Sequence, residues 1–164
     1  MDLATLNRAP ALAAAAEFYA CCGSPRWVAE MVARRPFKDL DALQAAAETV
    51  WWDLESRDWL AALLAHPRIG ERTAGEGRSA RWSAGEQARA DAASADVLAE
   101  LARANLEYED LFGFVFVVCA TGKSAEEMLA LLRERMDNDF DEEVRVAAAE
   151  QAKITRLRLA KLLA

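Results

Sequence analysis

The chain contains one histidine, His66, within residues 64–68 (LAHPR). An imidazole titrates near neutral pH, so His66 is the natural candidate for general acid–base catalysis. It stands where an apolar helical pattern is ended by Pro67, and loops at the ends of helices often carry catalytic groups. Pro67 also fixes the backbone directly after the imidazole. A histidine that only hydrogen-bonds the backbone at a helix end would fit equally well, so both roles stay open.

A second polar group follows at Ser83, Glu86 and Gln87. The spacing Ser-x-x-Glu is that of a capping box, in which the glutamate returns to the backbone of the first residue. The N-terminus of a helix is also a site for anions, because its first N–H groups have no partner within the helix. These three residues are therefore candidates both for a structural cap and for binding a polar ligand.

Arg158 is the third candidate, on a long helical pattern near the C-terminus. Ile154 lies four residues earlier and shares its helix face, which places the guanidinium beside apolar side chains that are predicted to point inward. An arginine turned toward a core favours a carboxylate as its partner, which Glu86, Glu150 or a ligand could supply. An internal ion pair and a clamp on an anionic substrate are therefore both open.

The sequence around these candidates is rich in alanine, leucine, glutamate and arginine, all of which favour helices. In the first part of the chain the pattern predicts four helices with clear ends. They run from Pro10 to Cys22 with Gly23 as the stop, from Ser24-Pro25 to before Pro36, from Asp39 or Asp41 to Trp52, and from Ser56 into His66.

The second part begins with residues 67–82, whose glycine, arginine and serine content predicts a long loop, and such loops are often functional. Residues 112–119 resemble a strand in composition, but the chain has no comparable second run to pair with them. They are therefore expected to form a buried extended or helical segment. Further helices are predicted over 83–93, over 95–108, from Ser124 with a capping box to Glu127, and from Asp139 or Asp141 to Leu163. The whole chain, 1–164, is expected to be one all-α domain, a helical bundle of about eight to nine helices.

Composition excludes several classes of partner. The net charge of -7 argues against nucleic acid, although a local arginine can still bind a small anionic molecule. The longest apolar run, 112–120, is far shorter than the roughly 20 residues that span a bilayer, so no membrane association is expected. Cys21, Cys22 and Cys119 suggest no set of disulfides and favour a reducing cytoplasm. With one histidine and no Cys-x-x-Cys pattern, no metal site is expected.

Several short motifs, taken in order along nearly the whole chain, make the sequence specific enough to compare with known families. They are Leu6-Asn7, Cys21–Ser24 before Trp27, Arg35-Pro36-Phe37, residues 66–71 (HPRIGE), Ser83-x-x-Glu86-Gln87, Asn105-x-x-Tyr108, residues 112–123 (FGFVFVVCATGK), and Glu150-x-x-Lys153-Ile154 with Leu157-Arg158-Leu159. In this order and spacing the chain resembles the decarboxylases of 2-oxo-4-hydroxy-4-carboxy-5-ureidoimidazoline (OHCU), which form (S)-allantoin at the end of urate degradation.

The resemblance implies an all-α, commonly dimeric enzyme that uses no metal or organic cofactor. It assigns His66 as the catalytic histidine, Glu86 as the acidic residue that pairs with substrate, and Arg158 as the active-site arginine. The residues it places around the substrate are Pro67, Ser83, Gln87, Phe116, Val117, Val118, Cys119 and Ala120. Two small departures are Ile69, where leucine is usual, and an end in Leu163-Ala164 rather than a peroxisomal tripeptide, which favours a cytoplasmic enzyme of bacterial type.

Two other functions remain as alternatives. One is an enzyme of the same fold that acts on another ureido or imidazoline acid. The other is a non-catalytic helical module that binds a partner through an exposed groove containing Trp51, Trp52 and Trp59.

Overall fold

The structure, a computed structural model, describes residues 1–69, 82 and 94–164. This part of the chain contains eight helices and no strand, which confirms the all-α prediction. The helices are α1 (Leu3–Arg8), α2 (Ala11–Cys21), α3 (Pro25–Ala33), α4 (Leu40–Asp53), α5 (Ser56–Leu64), α6 (Ala95–Phe112), α7 (Ala125–Arg135) and α8 (Phe140–Leu163). The predicted helix over 83–93 and most of the predicted loop over 67–82 lie outside the described residues, and Trp82 itself is helical.

Several of the helices begin where a short polar side chain accepts a hydrogen bond from the first turn. Ser24 caps α3 with Pro25 in the first turn, and Asp39 rather than Asp41 caps α4. At α7, Ser124 and Glu127 form the predicted capping box. These caps are local in sequence, which is why the pattern predicted them.

Two details of the N-terminal part differ from the prediction. The sequence pattern did not predict α1, a helix of only six residues that is capped by Asp2. The helix α2 ends at Cys21 because Cys22 turns to an extended conformation, and Gly23 is not among the glycines with a positive φ. The stop predicted at Gly23 is therefore wrong in its mechanism, although it is placed within two residues.

The chain divides into two compact units. The first comprises Met1–Ala62 and Gln151–Ala164. Within it α2, α3 and α4 pack together around Trp27, whose indole Nε1 donates to the carbonyl of Ala47 at 3.0 Å. The ring of Phe18 meets Trp27 edge to face, with 6.0 Å between centroids, and this apolar core supports the start of α3.

The second unit is Leu63–Glu150, in which α6 packs against α7. Helix α6 ends at Gly113, whose φ of 80° is the left-handed conformation that glycine adopts without strain. The chain then continues outside any helix, and Phe116 to Ala120 are all buried. This confirms the prediction of a buried segment here, in its non-helical form.

Within the described ranges, no helix combines the length and the apolar character that crossing a membrane requires.

Candidate active site

His66 lies in the turn that follows α5, and its backbone N–H donates to the carbonyl of Leu63 at 3.3 Å. His66 and Pro67 are both partly exposed. The next residue, Arg68, donates from Nε to the Glu109 carboxylate on α6 at 2.6 Å. The turn that carries His66 is therefore attached on one side to α5 and on the other to α6.

The backbone from Phe116 to Ala120, which we call the wall segment, is held by side chains rather than by a neighbouring strand. The carbonyl of Val117 accepts a hydrogen bond of 2.7 Å from Nη1 of Arg135. The carbonyl of Cys119 accepts one of 2.8 Å from Nζ of Lys123. Buried carbonyl groups need such partners, because an unpaired one loses its hydration without compensation.

Arg135 belongs to a buried polar cluster that includes Tyr108 and Glu143. The Glu143 side chain is 0% exposed, and its carboxylate accepts from Nε of Arg135 at 2.7 Å and from the Tyr108 hydroxyl. Asn138 donates to its other oxygen at 2.9 Å. The guanidinium also lies 4.5 Å from the centroid of the Phe116 ring.

This cluster keeps Tyr108 protonated. Burial is the main cause that raises the pKa of the phenol, and the hydrogen bond to Glu143 raises it further. The hydroxyl is thus a permanent donor to the carboxylate. The cluster is charge-balanced, with one guanidinium and one carboxylate, which reduces the large penalty of burying either charge alone.

Arg158 lies in the first unit and is buried, with 5% of its surface exposed. Its Nη1 donates to the carbonyl of Ala20 near the end of α2 at 3.3 Å. Earlier on the same helix, Nε2 of Gln151 donates to the hydroxyl of Thr155 at 2.9 Å. Burial raises the pKa of the neighbouring Cys22 thiol to about 12, against smaller lowering effects from Ser24, Thr155 and Arg158. Arg158 therefore points inward, as the helical spacing predicted.

The sequence-predicted site residues are distributed over different parts of the structure. His66, Pro67 and the wall segment belong to the second unit, and Arg158 belongs to the first. Ser83, Glu86 and Gln87 lie outside the described residues. Among the residues that are described, no group of histidine, cysteine, aspartate and glutamate is arranged to hold a metal ion.

Sequence reasoning missed Arg135 and Glu143. Glu143 looked like one of three acidic residues in the first turn of α8, where acidic side chains usually face water. Its position gave a usable signal, because Glu143 shares a helix face with Ala147 and Gln151, and both are fully buried. Extending the Ile154–Arg158 face toward the start of the helix would have placed a carboxylate inside.

Comparison with known proteins decides the family. The family model for OHCU decarboxylase matches residues 7–160. A crystal structure of an OHCU decarboxylase in the presence of (S)-allantoin superposes with a TM-score of 0.79 at 38% identity, and the match covers 90% of this chain and 96% of that one. The chain belongs to the OHCU decarboxylase family.

Two curated relatives place the OHCU decarboxylase match in context. The chain is 33% identical over 136 residues to the 2-oxo-4-hydroxy-4-carboxy-5-ureidoimidazoline decarboxylase of Haloferax volcanii, covering 82% of this chain and 80% of that protein. It is 41% identical over 149 residues to the uric acid degradation bifunctional protein TTL of Arabidopsis thaliana. That match covers 89% of this chain, which spans just under half of the plant protein, 46% of its length.

Proposed function

We propose that this protein catalyses the cofactor-independent decarboxylation of OHCU to (S)-allantoin in urate degradation. The observation that carries the proposal is the agreement, over most of both chains, with the OHCU decarboxylase structure obtained in the presence of (S)-allantoin. The family match over 7–160 includes every residue that the sequence singled out for chemistry.

The chemistry requires that the electron pair of the broken carbon–carbon bond be accepted as carbon dioxide leaves. OHCU contains its own acceptor, a conjugated C=N beside the carbon that bears the carboxylate and hydroxyl. The electron pair moves into this system, and a proton then adds to give allantoin. The protein's task is therefore to orient the substrate, exclude water and manage protons.

In this proposal His66 hydrogen-bonds the leaving carboxylate and the hydroxyl and acts as general acid and base. Glu86 and Gln87, with Ser83 beside them, hold the ureido and ring N–H groups. Arg158 neutralises negative charge and orients the ring, for which a buried and prepositioned guanidinium is well suited. Pro67 and the wall segment line the pocket and restrict reprotonation to one face.

A single domain over 1–164, a homodimer and a cytoplasmic location are parts of the same proposal. All three cysteines are free thiols, which fits a reducing compartment. Helix α2 exposes Leu12 at 86% and Tyr19 at 52%, which supports an interface with a second copy. Light scattering during size-exclusion chromatography measures the molar mass in solution and so tests the dimer directly.

The non-catalytic alternative has less support from the described residues. It requires Trp51, Trp52 and Trp59 in an exposed groove, yet Trp51 is only 2% exposed. Trp52 and Trp59 pack edge to face with 5.6 Å between their centroids, and the Trp59 indole donates to the Trp51 carbonyl. Of these three rings only Trp52 is classed as exposed, at 43%, and it packs against Trp59.

The deciding experiment generates OHCU in situ from urate with the two upstream enzymes and follows the circular dichroism of the product. The wild type should give (S)-allantoin rapidly. His66→Asn should fall to the enzyme-free rate with racemic product, while the control Trp52→Ala keeps full turnover. A wild type no faster than spontaneous decay would refute the proposed function, and turnover of a different ureido acid would favour the same-fold alternative.

A further inference from the structure

Two carbonyl groups of the wall segment, those of Val117 and Cys119, are bound by positively charged side chains. The two residues are separated by one position, Val118. Binding both carbonyls therefore restrains the backbone of the wall segment at two points, on either side of Val118.

The first cation, Arg135, is itself held in a fixed orientation. Its Nε donates to Glu143, and its guanidinium carbon lies over the ring of Phe116, the first residue of the wall segment. A guanidinium is a rigid planar fork, so fixing Nε also fixes the direction in which Nη1 points. Nη1 then meets the Val117 carbonyl.

The second cation, Lys123, is brought back to the segment by a tight turn. The N–H of Lys123 donates to the carbonyl of Ala120 at 2.9 Å, and Gly122 has a φ of 81°. A positive φ at the third residue of a turn favours glycine. The turn directs the ammonium group onto Cys119, so the wall segment is held near both of its ends.

We propose that Arg135 and Lys123 are positioning residues for the decarboxylation, an inference that rests on the function proposed above. They hold the carbonyl groups of Val117 and Cys119 and thereby keep the backbone of the wall segment in place against the substrate. Neither residue contacts the reacting atoms in this proposal. Loss of either one loosens the backbone of the pocket and weakens substrate binding more than it slows the chemical step.

The first test replaces Lys123, which is partly exposed and makes no buried ion pair among the described residues, so the fold should survive. Lys123→Met should raise KM about tenfold and change kcat less than about twofold, because the wall contacts substrate in both ground and transition states. Lys123→Arg keeps a donor and should restore most of the loss. The exposed Lys38 gives the matched control Lys38→Met, which should behave as wild type.

The second test is amide hydrogen exchange over residues 114–122, which needs no activity. Exchange should accelerate about tenfold in Lys123→Met and stay unchanged in Lys38→Met. Arg135→Lys keeps the charge opposite Glu143 but cannot reproduce the fork, so it should also accelerate exchange here and raise KM.

The results separate the two proposals. Unchanged exchange in Lys123→Met and Arg135→Lys would overturn the positioning role whatever the activity. Faster exchange with an unchanged KM would overturn the positioning role as well. So would a rise in KM in Lys123→Met that Lys123→Arg does not reverse. A wild type without turnover would refute the proposed function, and faster exchange in the variants would then describe a structural support with no role in the reaction.

Discussion

Removing either member of the buried Arg135–Glu143 pair alone should destabilise the protein at least as much as removing both members together. The Arg135 side chain is 8% exposed and that of Glu143 is 0% exposed. Among the residues described, Arg135→Met leaves the buried carboxylate with the neutral donors of Tyr108 and Asn138 alone, at a cost of about 3–5 kcal/mol. Glu143→Leu leaves a buried guanidinium without its carboxylate, and a similar cost is expected.

The double variant Arg135→Met/Glu143→Leu removes both charges together. The double variant still leaves the Val117 carbonyl without Arg135 and the Tyr108 hydroxyl without Glu143. The free energy of unfolding is therefore expected to fall by about 2–4 kcal/mol. The two single losses would add to about 6–10 kcal/mol. The coupling between the two residues is therefore expected to exceed about 2 kcal/mol.

Urea unfolding followed by far-ultraviolet circular dichroism measures all four proteins, with equal m-values as the condition for comparing them. Arg133→Met is the matched control, because Arg133 lies on the same helix in an exposed ion pair with Glu100 and should cost less than about 1 kcal/mol. A double variant whose loss equals the sum of the single losses would refute the reasoning, since the two charges would then act independently.

Two further predictions concern the first unit. Because the native pKa of Cys22 is raised from 9.0 to about 12, its stabilising effect is complete below pH 9 and lost as the pH rises toward 12. Above pH 9 the unfolding free energy of wild type should therefore fall more steeply than that of Cys22→Ala, by roughly 1 kcal/mol per pH unit, in urea titrations. An equal pH dependence of the unfolding free energy in the two proteins would contradict this role of Cys22. Ser24→Ala should lower stability by about 1 kcal/mol, because the buried hydroxyl caps α3, and an unchanged melting curve would show that the cap contributes nothing.

Local signals explain what could be predicted about the helices. The caps at Ser24, Asp39 and Ser124 lie within three residues of the N–H groups they bind, so neighbouring residues alone specify them. Helix α1 could not be predicted, because six residues show too little apolar periodicity to distinguish a helix from a turn. The strand-like composition of 112–119 predicts a buried segment rather than a strand, because a lone strand has no partner among helices, and the structure buries Phe116 to Ala120.

The same distinction between local sequence signals and tertiary contacts applies to the candidate site. The sequence by itself determined the helical class and the family, and it predicted His66 and Arg158 as the groups suited to the chemistry, since motif order and helical spacing are properties of the chain. Only the tertiary structure decided that Arg135, Glu143 and Tyr108 form one buried cluster and that Arg135 and Lys123 bind the wall segment. Arg135 and Val117 are 18 residues apart and Tyr108 and Glu143 are 35 apart. No local pattern records such pairs, because packing of the helices and the balance of buried charge select them.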